Sequence, residues 1–573
     1  MEYKQEKRID STGSLRVCQN CKKDFIIEPD DFGFYEQMKV PPPVWCPHCR
    51  MLRRMAWYGY RVLYKRKCDF TGEDIITFYH PSVKGKIYKQ DIWWSDKWDP
   101  KSYGKDYDFS LSFFEQFKEL FDEVPKASLN TEYSTMINSE YCNAASYQKN
   151  GYLCFKHIAG EDSAYTNVAL NTKDSVDVAY SADPELCYEI VDVRKSFQVF
   201  FSQDCENCQN VYFSRDLVNC GDCFGCVSLR NKNYCIFNEQ FTREEYQKRF
   251  KEFDLGSIKN VQKFKKQTYT LSLKYPRRAT LGRNNLNVSG EYIYNSKNVH
   301  DAYFISDSEN IRYSQLFLKG KTHNCYDFTA FGSSSEWVYE ATWMGLNTSN
   351  VKFGVWGYRN HDTEYTFGCH GSAYLFGCVG LNKAEYCIFN KQYTKEEYFP
   401  LVEKIKEQMN KIPFIDKRGL EHKYGGQIPI DLCPYSYNES TAFEFFPLSK
   451  EEALARGFTW RDPDSREYLP ATIVVPDNIK DVTDDILKAI LKCVDCGKNY
   501  QIIDRELRFL RRFNFPIPDH CPLCRDRARI KQLNPMQIFD RNCDKCGKDI
   551  QASYSPDRPE IVYCEDCYKK EIY

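Results

Sequence analysis

Twelve cysteines near the two ends of this sequence lie in Cys-x-x-Cys pairs, and two such pairs together can surround one metal ion with sulfur. They form three sets: Cys18, Cys21, Cys46 and Cys49; Cys493, Cys496, Cys521 and Cys524; and Cys543, Cys546, Cys564 and Cys567. Four thiolates favour Zn²⁺, and a closed shell of four protein ligands leaves no position for a reactive water. We therefore predict three zinc ions per chain, each in a structural site.

The first two cysteine sets belong to copies of one module. Adding 475 to the number of each cysteine in the first set gives the second set. The same offset carries Pro41, Pro43, Pro47 and Arg50 onto Pro516, Pro518, Pro522 and Arg525. Pro47 and Pro522 lie inside the second pair of their sets, where a fixed φ favours the start of a helix. A turn, a hairpin and a basic helix are expected in each copy.

The segment after each module is a second unit that differs between the two ends. At the offset of 475 the third cysteine set corresponds to Cys68, Thr71, Lys89 and Ile92, so a single ligand remains near the N-terminus. Several other positions still match across the same offset, among them Gly72, Asp74, Ile75, Tyr79, Pro81 and Tyr88. We expect this fold to persist without metal. Packing is the favoured role for the nearby Trp93, Trp94 and Trp98, ahead of a stacking platform.

The stretch from Cys493-Val-Asp-Cys496-Gly497-Lys498-Asn499-Tyr500 to Cys521-Pro-Leu-Cys524-Arg525 resembles the probable zinc-ribbon or treble-clef family. The resemblance covers about 35 residues in each copy. The N-terminal copy departs from the pattern at Lys22, where the family has glycine, and this leaves the ligands intact. The whole chain also resembles uncharacterised bacterial proteins that carry such fingers around a middle rich in cysteine and tyrosine. That resemblance implies no known activity.

The middle of the chain contains a second duplication, at an offset of 152. Phe224-Gly-Cys226 and Tyr234-Cys-Ile-Phe-Asn238 reappear as Phe376-Gly-Cys378 and Tyr386-Cys-Ile-Phe-Asn390. Each half is followed by a capping-box sequence, Thr242 with Glu245 and Thr394 with Glu397, which predicts the start of a helix. Further capping boxes are predicted at Ser112 with Glu115 and at Ser449 with Glu452.

Short aromatic and β-branched runs recur about every 11 to 13 residues within each half, separated by Ser, Asn and Asp. We predict a mainly β protein with a duplicated parallel β-solenoid-like core and short helices, flanked by the four-cysteine zinc-finger modules. Two runs per coil would give coils of about two dozen residues. Tandem β-sandwiches are the alternative.

The cysteines of the middle are interpreted as core residues of the tight coils. They are Cys142, Cys154, Cys187, Cys226, Cys235, Cys325, Cys378, Cys387 and Cys433. Cys205, Cys208, Cys220 and Cys223 could instead bind a fourth metal, although at offset 152 the other half has Gly357, Asn360, Ser372 and Leu375.

Eight segments follow from these patterns. They are a four-cysteine zinc finger (14–60), a degenerate ribbon-like unit (61–105), a linker helix (106–130), two β-repeat halves each with a helix (131–255 and 285–410), a connector (411–480), a second four-cysteine zinc finger (481–535) and a terminal zinc ribbon (540–573). Within the second finger segment, residues 481–492 are expected to be helical.

Composition narrows the class of protein. The 573-residue chain has 27 cysteines, an odd number, which favours thiolates in a reducing cytoplasm over a disulfide framework. With a mean hydropathy of −0.62 and no long apolar run, neither a membrane segment nor an export signal is expected. The net charge is −1, but residues 1–67 hold 14 Lys/Arg against 8 Asp/Glu. Any basic surface is therefore local.

Common nucleotide-binding and metalloprotease motifs do not occur, and no small-molecule substrate is evident. We predict a non-enzymatic zinc-binding adaptor that binds RNA or a ribonucleoprotein through the basic finger helices. The candidate contacts are Arg50, Arg53, Arg54, Arg525, Arg527 and Arg529. One alternative is a protein–protein scaffold that uses the aromatic solenoid face. The other is a carbohydrate-acting enzyme with paired carboxylates, Asp174 with Asp177 or Asp301 with Asp307.

Overall fold

The computed structural model describes residues 8–9, 13–317, 320–463 and 467–573, and it includes the side chains from residue 13 onward. The chain forms two compact units, and each of them is built from two separate stretches. The first unit comprises Met1–Leu129 and Leu281–Asp462, and the second comprises Asn130–Thr280 and Pro463–Tyr573. Each unit therefore combines one half of the central duplication with the cysteine modules from one end of the chain.

The second unit contains the first β-repeat half, a parallel solenoid whose successive coils are 12 residues apart. Val176 pairs with Tyr188, and Gln209 pairs with Gly221. Its strands are Met136–Ile137, Asn143–Lys149, Phe155–Glu161, Ala164–Lys173, Val176–Glu185, Tyr188–Phe200, Gln203–Glu206, Gln209–Tyr212, Arg215–Val218, Gly221–Phe224, Val227–Arg230, Asn233–Ile236 and the antiparallel Glu239–Gln240. One 12-residue segment thus makes a whole coil, and the expected coil of two dozen residues is wrong.

A three-residue period explains this coil. Every third residue from Ala144 to Phe237 has a positive φ, and the side chains of that position include Val168, Tyr180 and Lys195. The residue after each of these points into the coil, as Val178 and Cys187 do, and is buried. Four left-handed residues in each coil turn the chain, so the coil closes in 12 residues. Left-handed backbone costs non-glycine residues about 1–2 kcal/mol each, and the stacked coils must offset that cost.

Polar ladders connect neighbouring coils at fixed positions. Asn207 donates to Asn219 (2.8 Å), which donates to Asn231 (3.0 Å), and all three residues have positive φ. Inside the coil, Ser196 accepts from the backbone amide of Cys208 (3.1 Å) and donates to the carbonyl of Arg194 (2.7 Å). These bonds satisfy the polar groups that the tight coil buries.

The first unit contains the second β-repeat half, which is also parallel but less regular. Coil lengths vary: Leu286 pairs with Lys297, Ile311 with Cys325, and Val351 with Thr363. Its strands are Gly282–Arg283, Leu286–Tyr294, Lys297–Ser306, Ser308–Arg312, Gln315–Phe317, Thr322–Phe331, Glu336–Gly345, Ser349–Lys352, Val355–Tyr358, His361–Glu364, Phe367–His370, Ala373–Phe376, Glu385–Ile388 and the antiparallel Lys391–Gln392. The predicted parallel solenoid is confirmed in both halves, and the sandwich alternative is wrong.

Helices lie outside the coils and cover them. Those of the described chain are α1 (Pro29–Gln37), α2 (Pro47–Ala56), α3 (Gln90–Trp93), α4 (Phe113–Glu123), α5 (Arg243–Phe250), α6 (Ile258–Ser272), α7 (Lys395–Lys411), α8 (Thr441–Phe445), α9 (Lys450–Ala455), α10 (Asp504–Phe513), α11 (Pro522–Ile530) and α12 (Glu565–Ile572). Short 3₁₀ segments are Pro100–Tyr103, Tyr133–Thr135, Ile430–Leu432, Tyr437–Glu439, Ile479–Asp481 and Asp484–Leu487.

The four predicted capping boxes are present at the starts of α4, α5, α7 and α9. The helix expected over residues 481–492 is wrong. That segment forms the 3₁₀ turn Asp484–Leu487 and the strand Leu491–Lys492.

Short strands complete the cysteine modules and the connector. They are Arg8–Ile9, Gly13–Val17, Asp24–Ile27, Tyr64–Lys67, Asp74–Thr77, Ile87–Tyr88, Lys126–Ala127, Arg277–Arg278, Phe414–Ile415, Glu421–His422, Leu491–Lys492, Asn499–Tyr500, Phe539–Asn542, Asp549–Ala552 and Val562–Tyr563. Numbers 64–67 and 74–77 differ by 475 from 539–542 and 549–552, so the degenerate ribbon retains the hairpin of the C-terminal ribbon.

Each module packs on the aromatic face of the solenoid half in its own unit. In the second unit Phe515 stacks against Tyr188, and Phe253 of the α5–α6 connection stacks on Phe224. In the first unit Phe34 of α1 lies 3.8 Å from Tyr326, ring to ring. Trp93 stacks on Trp356 and is buried, as the packing interpretation of that tryptophan predicts. The aromatic face is thus largely covered within each unit.

Candidate metal centres and their arginine clamps

The structure brings the predicted metal ligands together in three groups. Among the described residues, the four sulfurs of each cysteine set lie within 4.8 Å of one another. The sulfurs of Cys21 and Cys46 are 3.8 Å apart, those of Cys496 and Cys521 3.7 Å, and those of Cys546 and Cys564 3.8 Å. A sulfur tetrahedron with zinc–sulfur bonds of about 2.3 Å has edges of about 3.8 Å. The separations therefore fit one tetrahedral ion in each group.

The local backbone explains why each group forms. After each first Cys-x-x-Cys pair the chain turns through a residue with positive φ, which is Gly497, Gly547 or Lys22. Lys22 adopts this conformation although it is not glycine, and its ammonium group donates to the carbonyl of Gln19 at 2.8 Å. The second pair begins a helix in every group. Pro47 and Pro522 occupy the first turns of α2 and α11, as predicted.

Backbone amides stabilise the thiolate form of the first ligand in each group. The amide of Cys46 donates to the sulfur of Cys18, and that of Cys564 to the sulfur of Cys543, both at 3.2 Å. Burial opposes ionisation of Cys543, but the amides of Cys564 and Cys546 lower its pKa to about 6. Cys493 behaves alike, with burial outweighed by backbone amides and a pKa of about 6. Thiolates at neutral pH are what a metal ion requires.

The degenerate ribbon keeps this arrangement around its one cysteine. The amides of Thr71 and Lys89 point at the sulfur of Cys68, at 3.5 and 3.3 Å. The second of these contacts matches the Cys564-to-Cys543 bond at the offset of 475. The site thus has the backbone of a metal centre with Thr71, Lys89 and Ile92 where the other ligands would be.

The arginines of α11 point into the second unit. Arg525 donates to Asp177 (2.6 Å) and to Glu506 of α10 (2.7 Å), and Arg529 donates to the other oxygen of Asp177 (2.7 Å). Asp177 is fully buried and has a positive φ. Burial alone would lower the pKa of Arg525, but the carboxylates of Asp177 and Glu506 raise it well above its ordinary value. We call this pair of arginines around one aspartate an arginine clamp.

An equivalent arginine clamp joins α2 to the solenoid half of the first unit. Arg50 and Arg54 each donate to one oxygen of Asp327, at 2.8 and 2.7 Å. Asp327 is fully buried and has a positive φ. Arg53, between them, donates to Glu340 at 2.8 Å. At the offset of 475, Arg50 and Arg54 correspond to Arg525 and Arg529.

Each arginine clamp includes a tyrosine and a further carboxylate that the sequence analysis missed. Tyr165 donates to Glu506 (3.1 Å) and lies under the guanidinium of Arg525. In the first unit Tyr313 donates to Asp31 (2.9 Å) and lies under Arg50. Asp31 and Glu506 are 475 residues apart. Two acidic residues at matching positions of otherwise apolar helix faces were the available signal.

The expectation of an exposed basic face on the finger helices is wrong for five of the six arginines. Arg50, Arg53, Arg54, Arg525 and Arg529 are all buried in the ion pairs described above, where phosphates cannot reach them. Arg527 is exposed. The recurrence of arginine at both ends reflects the shared packing of each finger on a solenoid.

The cysteines of the middle are buried inside the coils, as predicted. In the described chain, Cys205, Cys208, Cys220 and Cys223 do not form a group whose sulfurs all lie within 4.8 Å. Their sulfurs donate to nearby backbone carbonyls instead, as Cys208 does to Glu206 at 3.3 Å.

The paired carboxylates considered for glycoside cleavage occupy corners of the coils. Asp177 is held in the arginine clamp. Asp174 and Asp301 also have positive φ, and Asp307 accepts from Asn295 in a ladder at 3.1 Å.

Comparison with known proteins gives no family. No family model matches the sequence, and no curated protein matches it. Among solved structures, the chain has a match to one described as "putative acetyltransferase from Desulfovibrio desulfuricans G20". That match has 12% identity and a TM-score of 0.10, and it covers 42% of this chain and 57% of the other. A TM-score this low carries no structural argument. No helix in the described residues is long and apolar enough to cross a membrane.

Proposed function

We propose that the chain is a non-enzymatic binding scaffold in which three zinc ions hold the terminal modules in the form that clasps the solenoid halves. The observation that supports this most directly is the arginine clamp. In each unit the helix that begins at the second ligand pair is also the helix whose arginines reach a buried solenoid aspartate. Metal, module and solenoid therefore depend on one another.

Zinc is the metal proposed for all three groups. Their ligands are four cysteines each, and the tetrahedral edge lengths leave no open position. Such a closed shell supplies folding energy rather than a reactive water. The chemistry of the donor set thus supports a structural role.

RNA or a ribonucleoprotein remains the proposed partner, through exposed cationic residues other than the clamp arginines. The competing partner is a protein bound on the aromatic solenoid face. The packing of Phe34, Phe515 and Phe253 on that face speaks against it, because the modules and helices already occupy much of the apolar area.

Native mass spectrometry of the full-length protein tests the metal role. We expect three zinc ions per chain and the loss of one in a Cys493→Ser variant. Cys433→Ser removes a buried cysteine outside the three groups and should retain all three ions. Equal metal content in both variants would contradict the proposal. Chelation should also lower the unfolding temperature, since the modules anchor the solenoid halves.

Ultraviolet crosslinking of the tagged protein in its native cells, followed by sequencing of attached RNA, tests the partner. Discrete crosslinked sites would support RNA. An empty result at good crosslinking efficiency, together with one stoichiometric protein after nuclease treatment, would support a protein partner instead.

A further inference from the structure

A cleft of about 690 Å³ lies along α6 in the second unit and carries positive charge. Its lining consists of Phe237, Lys259, Gln262, Lys263, Lys266, Gln267, Thr270, Leu271 and Lys274. Four of these nine residues are lysines and none is acidic. The net charge of the whole chain is −1, so this cleft is a local exception.

The lysines form a row because of helical spacing. Lys259, Lys263 and Lys266 are four and three residues apart, which places them on one face of α6. The opposite face, with Val261 and Phe264, is buried against the solenoid. The lysine row is therefore a surface that packing within the unit leaves open.

These four lysines are exposed and have no ion-pair partner within 4 Å among the described residues. Lys265, which does not line the cleft, differs because it pairs with Glu189. Near the start of the helix, Asp477 accepts from the backbone amide of Lys259. The cationic charge on the cleft wall is thus uncompensated along most of its length.

We propose that this cleft binds single-stranded RNA, with the lysine row on the phosphates and Phe237 against a base. This inference rests on the RNA partner of the proposed function and assigns it to a new site. A row of lysines matches a phosphate chain by charge complementarity. An aromatic ring and two glutamine amides add groups that suit unstacked bases rather than an acidic peptide.

The length of the row sets the size of the bound segment. From Lys259 to the end of α6 at Ser272 the helix rises about 20 Å at 1.5 Å per residue. At about 3.4 Å per nucleotide this corresponds to roughly six nucleotides. A 12-nucleotide oligouridine is therefore long enough as a probe.

Fluorescence anisotropy of the zinc-loaded full-length protein with labelled oligouridine tests the site. Four lysine–phosphate contacts on a single strand predict a slope near −2.8 for log affinity against log salt, or about a 50-fold loss between 50 and 200 mM salt. A variant with Lys259, Lys263, Lys266 and Lys274 all changed to Gln should lose the binding and the salt slope.

The matched control changes four exposed lysines outside the cleft to Gln. These are Lys195, Lys232, Lys248 and Lys531. The control should bind oligouridine as the natural protein does. If the cleft variant binds equally well, or if the control loses as much affinity, the assignment to the cleft is overturned.

Two further probes separate RNA from other anions. Phe237→Leu should weaken binding of oligouridine but not of an abasic oligomer of equal length. A glutamate 12-mer that competes as strongly as oligouridine would overturn the RNA assignment in favour of a general anion surface. The zinc scaffold is judged separately, by metal content, so the failure of one proposal does not resemble failure of the other.

Discussion

Asp177 and Asp327 hold the same position in two copies of one interaction. Each has a positive φ in its solenoid half, is fully buried, and accepts from two arginines that lie four residues apart on a module helix. The solenoid and the metal module were thus duplicated with their contact preserved.

Removing one charge of an arginine clamp should be severely destabilising. Asp327→Asn keeps the side-chain shape and tolerates positive φ, but it leaves Arg50 and Arg54 buried beside a neutral amide. We expect a loss of about 3–5 kcal/mol. All nine tryptophans lie in the first unit, so tryptophan fluorescence during urea unfolding measures its stability.

Asp307→Asn is the matched control, because Asp307 has the same backbone conformation but is exposed. It should change the unfolding free energy by less than about 0.5 kcal/mol. A similarly small effect of Asp327→Asn would show that the buried charge pairs contribute little.

The degenerate ribbon should accept a metal when its ligands are restored. Thr71→Cys, Lys89→Cys and Ile92→Cys together would surround the position where two amides already face the sulfur of Cys68. We expect native mass spectrometry to detect four zinc ions instead of three. The same three changes combined with Cys68→Ser serve as control and should not give a stable fourth ion.

The asparagine ladder should depend on both backbone conformation and side-chain bonding. Asn219 has a φ of 54° and takes part in two ladder bonds. Asn219→Gly keeps the conformation and loses the bonds, whereas Asn219→Val loses both and strains the turn. We expect Val to be less stable than Gly by about 1–2 kcal/mol. Hydrogen exchange over residues 207–231 measures this locally, and equal protection in both variants would contradict it.

Lys126 should make the first unit more stable as the pH rises. Its ammonium group is buried, donates to the carbonyl of Phe121 and lies 4.1 Å from that ring. Burial lowers the pKa of Lys126 from 10.5 to about 7. Between these values the unfolded chain binds the proton and the folded one does not, so the free energy of unfolding rises by about 1.4 kcal/mol per pH unit.

Tryptophan-monitored unfolding between pH 7.5 and 9 checks the behaviour of Lys126. Lys126→Met should remove this part of the pH dependence, and the exposed Lys118→Met should retain it. Parallel curves for the natural protein and Lys126→Met would rule out the assignment.

The metal ligands could be predicted from sequence because ligand spacing is fixed by the ion. The length of the coil could not, because its left-handed positions hold residues as different as Val168 and Lys195, which give no turn signal. The arginine clamps were hidden for a related reason. Longer coils in the first unit shift the match between Asp177 and Asp327 to 150, whereas the offset read from the later motifs is 152.

The pairing of each module with a distant solenoid half has a consequence during synthesis. Arg54 and its partner Asp327 are 273 residues apart, so at about 5–20 residues per second the N-terminal finger leaves the ribosome roughly 14–55 s before its aspartate is made. For Arg529 and Asp177, 352 residues apart, the order is reversed, and the solenoid waits for the finger. Nascent chains therefore expose three unpaired arginines first and a bare aromatic face afterwards, and both are sites where a chaperone has time to bind.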